Sequence, residues 1–465
     1  MTLLANRRRP QTLRLTAILL ALVVGAIFAI VMLRRHDPRR NERPIVVLIT
    51  IDTLRADALS LEKDGSDKTP FLAQLAQQAV VFRNAYSPSS WTVPAMASLF
   101  TSLAPQSHGV IRDLAVRRQP VLSSSFTTLA ESLKQAGYVT IGLPSNPHLA
   151  RELGFAQGFD HYANTKVTSA ESVNDVLYAQ LRKAFKNPVL DETKAHPFLW
   201  IHYMDPHVPY TPHQPWIGEC AKRALINEED LVQVEGSELI GQIQDETAPF
   251  TQRLRCTYES EVRFLDDQLR ALNERLQLDR DNVLLILTAD HGEEFAEHRR
   301  FGHANSLYEE LLRVPLLIRW PRVLKPSRVD TPVNLLDVYP TLMALLGLPV
   351  PTASQGRSLV ALMEGSSSAP QTQFFHLTRG HSEWTAIRQN EWKLIHGPGK
   401  STQLFDLQQD PHERTNRVTD RPQVVTLLDT ALMQQTAALP APPPLDNVEL
   451  PPEAQERLRQ LGYGD

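Results

Sequence analysis

Four polar side chains sit where apolar runs end, and together they could do chemistry. Asp52 closes IVVLITI (45–51), and Asp290 and His291 follow VLLILTA (283–289). Thr92, in SSWTVPAMASLF, stands two residues ahead of Pro94, which marks the first turn of a helix. Two carboxylates and an imidazole at one sheet edge make a site for one divalent cation: Mg²⁺, Mn²⁺, Ca²⁺ or Zn²⁺. A hydroxyl beside such a cation becomes a nucleophile, and the open amides of a helix start face an anion. Taken singly, a strand-ending aspartate more often caps a turn, and Thr92 more often caps its helix. The common position of all three pieces is what favours chemistry.

The elements that must position these residues can be read from the same runs. Continuous β-branched apolar stretches at 45–51 and 283–289 read as strands buried on both faces. FLWIHY (198–203), ahead of Asp205 and His207, and VTIGL (139–143), ahead of a Ser145-Asn146-Pro147 turn, read likewise. Helical patterns lie between them at 69–80, 127–137 and 258–276. Alternating strands and helices predict a largely parallel α/β sheet, with its site at the carboxyl ends of the strands. Residues 217–255 read as an irregular insertion. Beyond residue 350, the runs 384–389, 391–397 and 403–407 predict a small antiparallel module. Residues 440–452 hold six prolines, an extended tail before a short terminal helix.

The chain has 465 residues, 42% apolar and 22% charged, which excludes disordered, collagen-like and coiled-coil classes. Its formal charge of −4 divides unevenly. Residues 1–44 carry nine arginines against Asp37 and Glu42, leaving a net of −11 on the rest. An acidic body argues against nucleic acid as a partner. Residues 15–33, LTAILLALVVGAIFAIVML, carry no charge and would span roughly 28 Å as a helix, the length of a membrane signal-anchor. Four arginines precede this span and five follow it, so charge does not orient it. The two cysteines, Cys220 and Cys256, exclude a disulfide scaffold; whether they pair with each other stays open.

The motifs, in order, resemble the sulfatase family of the alkaline phosphatase superfamily from residue 44 onward. ITIDTLRADAL, SWTVPAMASLFTSLAPQSHGV, FLWIHYMDPHVPY, YESEVRFLDDQLRAL, LTADHGEEFAEHRRFGHANSLYEELLRVPLLI and LFDLQQDPHERTN carry the resemblance, and LRQLGYGD closes it. It implies an α/β fold with an alkaline-phosphatase-like, mostly parallel sheet flanked by helices. It also implies a small C-terminal antiparallel α+β module; the apolar run 15–33 adds a single N-terminal transmembrane helix to the expected fold. The expected organisation is a basic segment 1–14, an anchor 15–33, a linker 34–43, a catalytic domain 44–349, a module 350–436 and a tail 437–465. The resemblance implies a body outside the cytoplasm, on the periplasmic side of a bacterial inner membrane. It also implies one divalent metal on Asp52, Thr92, Asp290 and His291, with Thr92 as nucleophile. His207 and His303 would be catalytic, and Asn146 and Thr53 would contact the substrate.

The departures from the family pattern shape the chemistry. Thr92-Val93-Pro94-Ala95-Met96 stands in the Cys/Ser-x-Pro-Ser-Arg slot, and threonine cannot become formylglycine. The usual Gly-Lys-x-His segment reads LPSNPH, so two expected cations are missing, and Thr53 replaces the second residue of an Asp-Asp pair. A threonine ester must be released by water or another acceptor, which shifts weight from sulfate towards phosphoryl groups. The expected function is metal-dependent hydrolysis of sulfate, phosphate or phosphonate esters on a glycan, lipid head group or small molecule. Transfer of a phosphoryl head group at a membrane, and non-catalytic binding of an anionic glycan or lipid, are the alternatives.

Overall fold

β-branched runs that are apolar on both faces suit central strands covered by helices on each side. The computed structural model, which describes residues 43–61, 68–111, 118–165, 169–185, 196–239, 245–366 and 371–461, places them there. Nine strands form one sheet: β1 (Ile45–Ile51), β2 (Val80–Tyr86), β3 (Tyr138–Pro144), β4 (His161–Tyr162), β5 (His196–Tyr203), β6 (Val283–Ala289), β7 (Arg313–Arg319), β8 (Ser327–Val329) and β9 (Val333–Asn334). Their order is β8-β2-β7-β6-β1-β5-β3-β4, and β9 also pairs with β2. Only β7 runs antiparallel to its neighbours. β1 therefore sits between β5 and β6, and its partners lie about 150 and 240 residues away in sequence.

Helices flank the sheet in two groups. Pro70–Gln77 and Ala170–Phe185 both pack on Pro249–Leu276, and Leu129–Gln135 and Val338–Leu346 both pack on Thr92–Thr101. The run predicted as a helix over 69–80 stops at Gln77 because Val80 already begins β2. The helix predicted from 258 starts two turns earlier, at Pro249. The insertion is more ordered than expected. It holds a helix at Trp216–Ala224, tied to the long helix by a Cys220–Cys256 disulfide. That answers the question of pairing.

The C-terminal region forms a separate four-stranded antiparallel sheet: β10 (Gln373–Arg379), β11 (Ser382–Gln389), β12 (Trp392–Gly397) and β13 (Ser401–Asp406). Pro422–Ala438 packs on β11 and β12. The tail returns to the body, where Asn447–Glu449 pairs with Arg118–Pro120. The expected α/β sheet with an antiparallel C-terminal module is thus present.

The expected membrane placement needs correction. Among the described residues no helix is long and apolar enough to cross a membrane. The basic segment 1–14, the anchor 15–33 and all of the linker but Arg43 lie outside the described residues. A single-pass protein with its body on the periplasmic side is therefore unsupported, because the described chain supplies no spanning helix.

Candidate active site

Parallel pairing alone brings the two aspartates together. Asp52 extends β1 and donates its N–H to Tyr203 O (2.9 Å), and Asp290 extends β6 and donates to Ile51 O (3.2 Å). Between them Thr53 adopts a left-handed φ of 53°, costly for a β-branched residue. It is held there by Tyr258, whose hydroxyl donates to Thr53 O, and by its own N–H, which donates to Asp290 Oδ1. Gly292 has no alternative, since a Cβ there would lie 1.9 Å from Glu310 O.

His291 Nδ1 donates to Gly292 O (2.9 Å), which leaves an unprotonated Nε2 facing inward. That nitrogen lies 3.6 Å from Asp52 Oδ1, 3.6 Å from Asp290 Oδ2 and 3.4 Å from Thr92 Oγ1. Asp52 Oδ1, Asp290 Oδ2 and Thr53 Oγ1 are buried and have no hydrogen-bond partner. Converging lone pairs of this kind repel unless a cation sits among them. Burial opposes ionisation of Asp52, yet His207, His202 and His291 hold its carboxyl well below the usual range. Burial, and then the Asp52 charge, pushes Asp290 well above it. A divalent cation resolves that conflict, so the donor set fits one.

His202, on β5, was not anticipated. With Asp52 and Asp290 it forms a cluster whose ligand atoms lie within 4.8 Å of one another, a possible metal site. Its Nε2 donates to Asp52 Oδ2 (3.2 Å), and its Nδ1 meets the Thr50 hydroxyl (2.8 Å). Asn146 Nδ2 donates to the same Asp52 oxygen at 2.6 Å and towards Thr92 Oγ1 at 3.4 Å. Asp52 thus has one oxygen occupied by two donors and the other turned inward.

Thr92 opens the Thr92–Thr101 helix behind an extended Trp91, and no side chain caps that helix. Its hydroxyl, fully buried, lies at the uncapped end. The imidazoles follow in series: the His303 ring is 4.6 Å from His291 and 4.9 Å from His207, centroid to centroid. Burial lowers His207, and lowers His303 to about 4 against the pull of Asp52. Glu293 fixes His303 by accepting from its Nδ1 (2.9 Å), and in turn accepts from Tyr210 Oη (2.8 Å). All eight expected residues, Asp52, Thr53, Thr92, Asn146, His207, Asp290, His291 and His303, therefore fall in one region.

Glu293 and His148 join them. His148, in the segment read as short of cations, is buried edge-on to Trp91. Burial lowers it to about 3, with Asp52, His207 and His303 among its electrostatic neighbours. His298, Glu310 and Glu413 form a second such group. There the Lys393 ammonium already pairs with Glu309 and Glu413.

The family profile for sulfatases matches residues 44–348, and a profile for the C-terminal region of N-sulphoglucosamine sulphohydrolase matches residues 296–439. Arylsulfatase K of Xenopus laevis is 25% identical over 462 residues, covering 85% of this chain and 82% of its own. A protein solved with its substrate D-glucosamine-2-N,6-O-disulfate superposes with a TM-score of 0.69 at 19% identity, over 85% of this chain and 98% of its own. The phosphonate monoester hydrolase of Agrobacterium radiobacter gives 0.66 at 22%, over 85% and 95%.

Proposed function

The chain belongs to the sulfatase family of ester hydrolases, and we propose that it cleaves sulfate, phosphate or phosphonate esters through the Thr92 hydroxyl. The convergence of Asp52 Oδ1, Asp290 Oδ2, His291 Nε2 and Thr92 Oγ1 carries this reading. Asp52, Asp290, His291 and Thr92 would hold one divalent cation. When bound, it supplies positive charge to the ester oxygens and favours the ionised hydroxyl.

Thr92 Oγ attacks the sulfur or phosphorus, its proton passing to Asp290, whose buried Oδ2 lies 3.6 Å from the same His291 Nε2 that faces the Thr92 hydroxyl. The ester bond to the leaving oxygen breaks as the new Oγ bond forms. Asn146 orients both Asp52 and the nucleophile. The uncapped amides at the start of the Thr92–Thr101 helix face the transferred group. His207 or His303, which the negative charge of a bound ester would draw towards the protonated form, protonates the leaving oxygen, with Glu293 setting the His303 ring. Water, deprotonated by the same histidine, which thereby regains its proton, then attacks the Thr92 ester; the bond to Oγ breaks and Asp290 returns its proton to Thr92.

Threonine in the nucleophile slot excludes formylglycine chemistry at that position and makes the covalent ester the intermediate to look for. The sulfated sugar of one structural neighbour and the phosphonate activity named for another define the esters to screen first. The test is the full chain with Mn²⁺ against aryl sulfates, aryl phosphodiesters and aryl phosphonate monoesters, followed by intact mass. Wild type should turn over one class and carry a transient sulfo or phospho group on Thr92, and Thr92→Ala should do neither. Equal rates in wild type and Thr92→Ala refute the proposal. Turnover only with an added alcohol would show transfer instead.

A further inference from the structure

The described body is acidic, yet one edge of the site is cationic. The loop that carries His303 runs from Arg299 to Asn305 and docks beside the nucleophile, where Ala304 N–H donates to Ser90 O (2.9 Å). Two guanidinium groups flank its end. Arg379 Nη1 reaches Ala304 O at 3.4 Å, and Arg300 Nη1 donates to Asn305 O at 2.8 Å. The two arginines are thus anchored on consecutive carbonyls. Arg300 also lies over the Trp384 ring, 5.4 Å from its centroid.

Arg379 is presented by construction. It ends β10 and pairs with Ser382, so Gly380 and His381 form a two-residue hairpin turn. Gly380 has the positive φ (61°) that such turns require. The strand itself is held against the nucleophile segment, His376 N–H donating to Pro88 O (3.0 Å). Both arginines are exposed, and neither forms an ion pair with a carboxylate among the described residues. The field of Arg379 reaches His303, which places this guanidinium within electrostatic range of the site.

We propose that Arg379 and Arg300 form a second anion subsite beside the reacting centre, so that the substrate carries a second anionic group besides the ester that is cleaved. That group is a carboxylate or a further sulfate or phosphate ester, the planar or tetrahedral oxyanions that guanidinium groups bind with two parallel hydrogen bonds. On an acidic protein such a rim would also draw polyanions to the site. The subsite rests on the reading that the reacting ester sits at Thr92.

Binding measured without turnover separates the two. The full chain carrying Thr92→Ala, with Mn²⁺, is titrated calorimetrically with two ligand pairs. One pair is 4-nitrophenyl sulfate with and without a ring carboxylate; the other is D-glucosamine-2-N,6-O-disulfate and the same sugar sulfated once. The dianion should bind about tenfold tighter within at least one pair, and the responding pair identifies the second group. Arg379→Gln should bring the affinity ratio close to one, and Arg379→Lys should keep part of it. Equal affinities within both pairs, a ratio untouched by Arg379→Gln, or no binding of any ligand overturns the subsite. An Arg379-dependent ratio in a chain that hydrolyses none of the esters leaves the subsite standing and refutes the proposed function instead.

Discussion

Lys393 is one of the points at which the C-terminal sheet is fastened to the catalytic body, and Lys393→Met tests how. The ammonium is fully buried, 3.0 Å from Glu309 Oε1 and 2.9 Å from Glu413 Oε1. Burial alone would lower its pKa; Glu309 and Glu413 outweigh burial and hold it above the ordinary lysine value. Methionine fills similar space but leaves two carboxylates facing each other, one wholly buried and the other only 13% exposed. Breaking a buried pair in this way costs about 3–5 kcal/mol. Glu309 keeps the Tyr86 hydroxyl and Glu413 keeps the Glu309 N–H, which places the expected loss at the lower end, about 3 kcal/mol. Urea unfolding followed by tryptophan fluorescence measures it. Adding Glu413→Gln removes one of the opposed charges and should recover about half of the loss. If Lys393→Met stays within about 1 kcal/mol of wild type, or if Glu413→Gln worsens it, the ammonium is not what neutralises these carboxylates.

Three further outcomes follow from the geometry. Mn²⁺ at a hundredfold excess over its Kd should stabilise the chain by about 2.7 kcal/mol; EDTA should reverse this, and Asp290→Ala should abolish it in a thermal melt. Asn146→Ala removes the donor shared by Asp52 and Thr92 and should lower kcat about a hundredfold, read by steady-state kinetics on the ester found above. His108 is buried, accepts from Val110 N–H through Nδ1, and is lowered by burial to about 3. Because its folded pKa lies below the unfolded value, its contribution is complete above about pH 6.5 and is lost as pH falls towards 3. That is a cost of about 2 kcal/mol at pH 5, and His108→Gln should flatten the stability–pH slope by this amount.

Where a residue's role followed from the ends of continuous apolar runs, it was legible in sequence. β1 and β6 have the boundaries read from their composition, and Asp52 and Asp290 follow from them. β2 was missed because Arg83 and Asn84 interrupt its apolar face, and β10 because His376 and Thr378 do. His202 was overlooked because it sits inside FLWIHY, where a histidine reads as one more strand residue. Its partner, Asp52, is set by parallel pairing across 150 residues, which no local pattern encodes. One signal was available: it is the polar exception in an apolar run ending beside a candidate site. Glu293 carried a similar signal, following Asp290-His291-Gly292 directly. The two arginines beside His303 had none, since their meeting depends on the docking of a second sheet.

The return of the tail has a consequence for synthesis. Arg457, in the Pro452–Gln460 helix, donates to Ser145 O and Thr165 O, bracing the turn that presents Asn146. Asn146 in turn orients Asp52 and Thr92, both encoded in the first quarter of the chain. A chain still on the ribosome holds its nucleophile long before the brace exists. Final assembly of the reacting centre must therefore wait until residue 457 has been made and has folded back onto the turn.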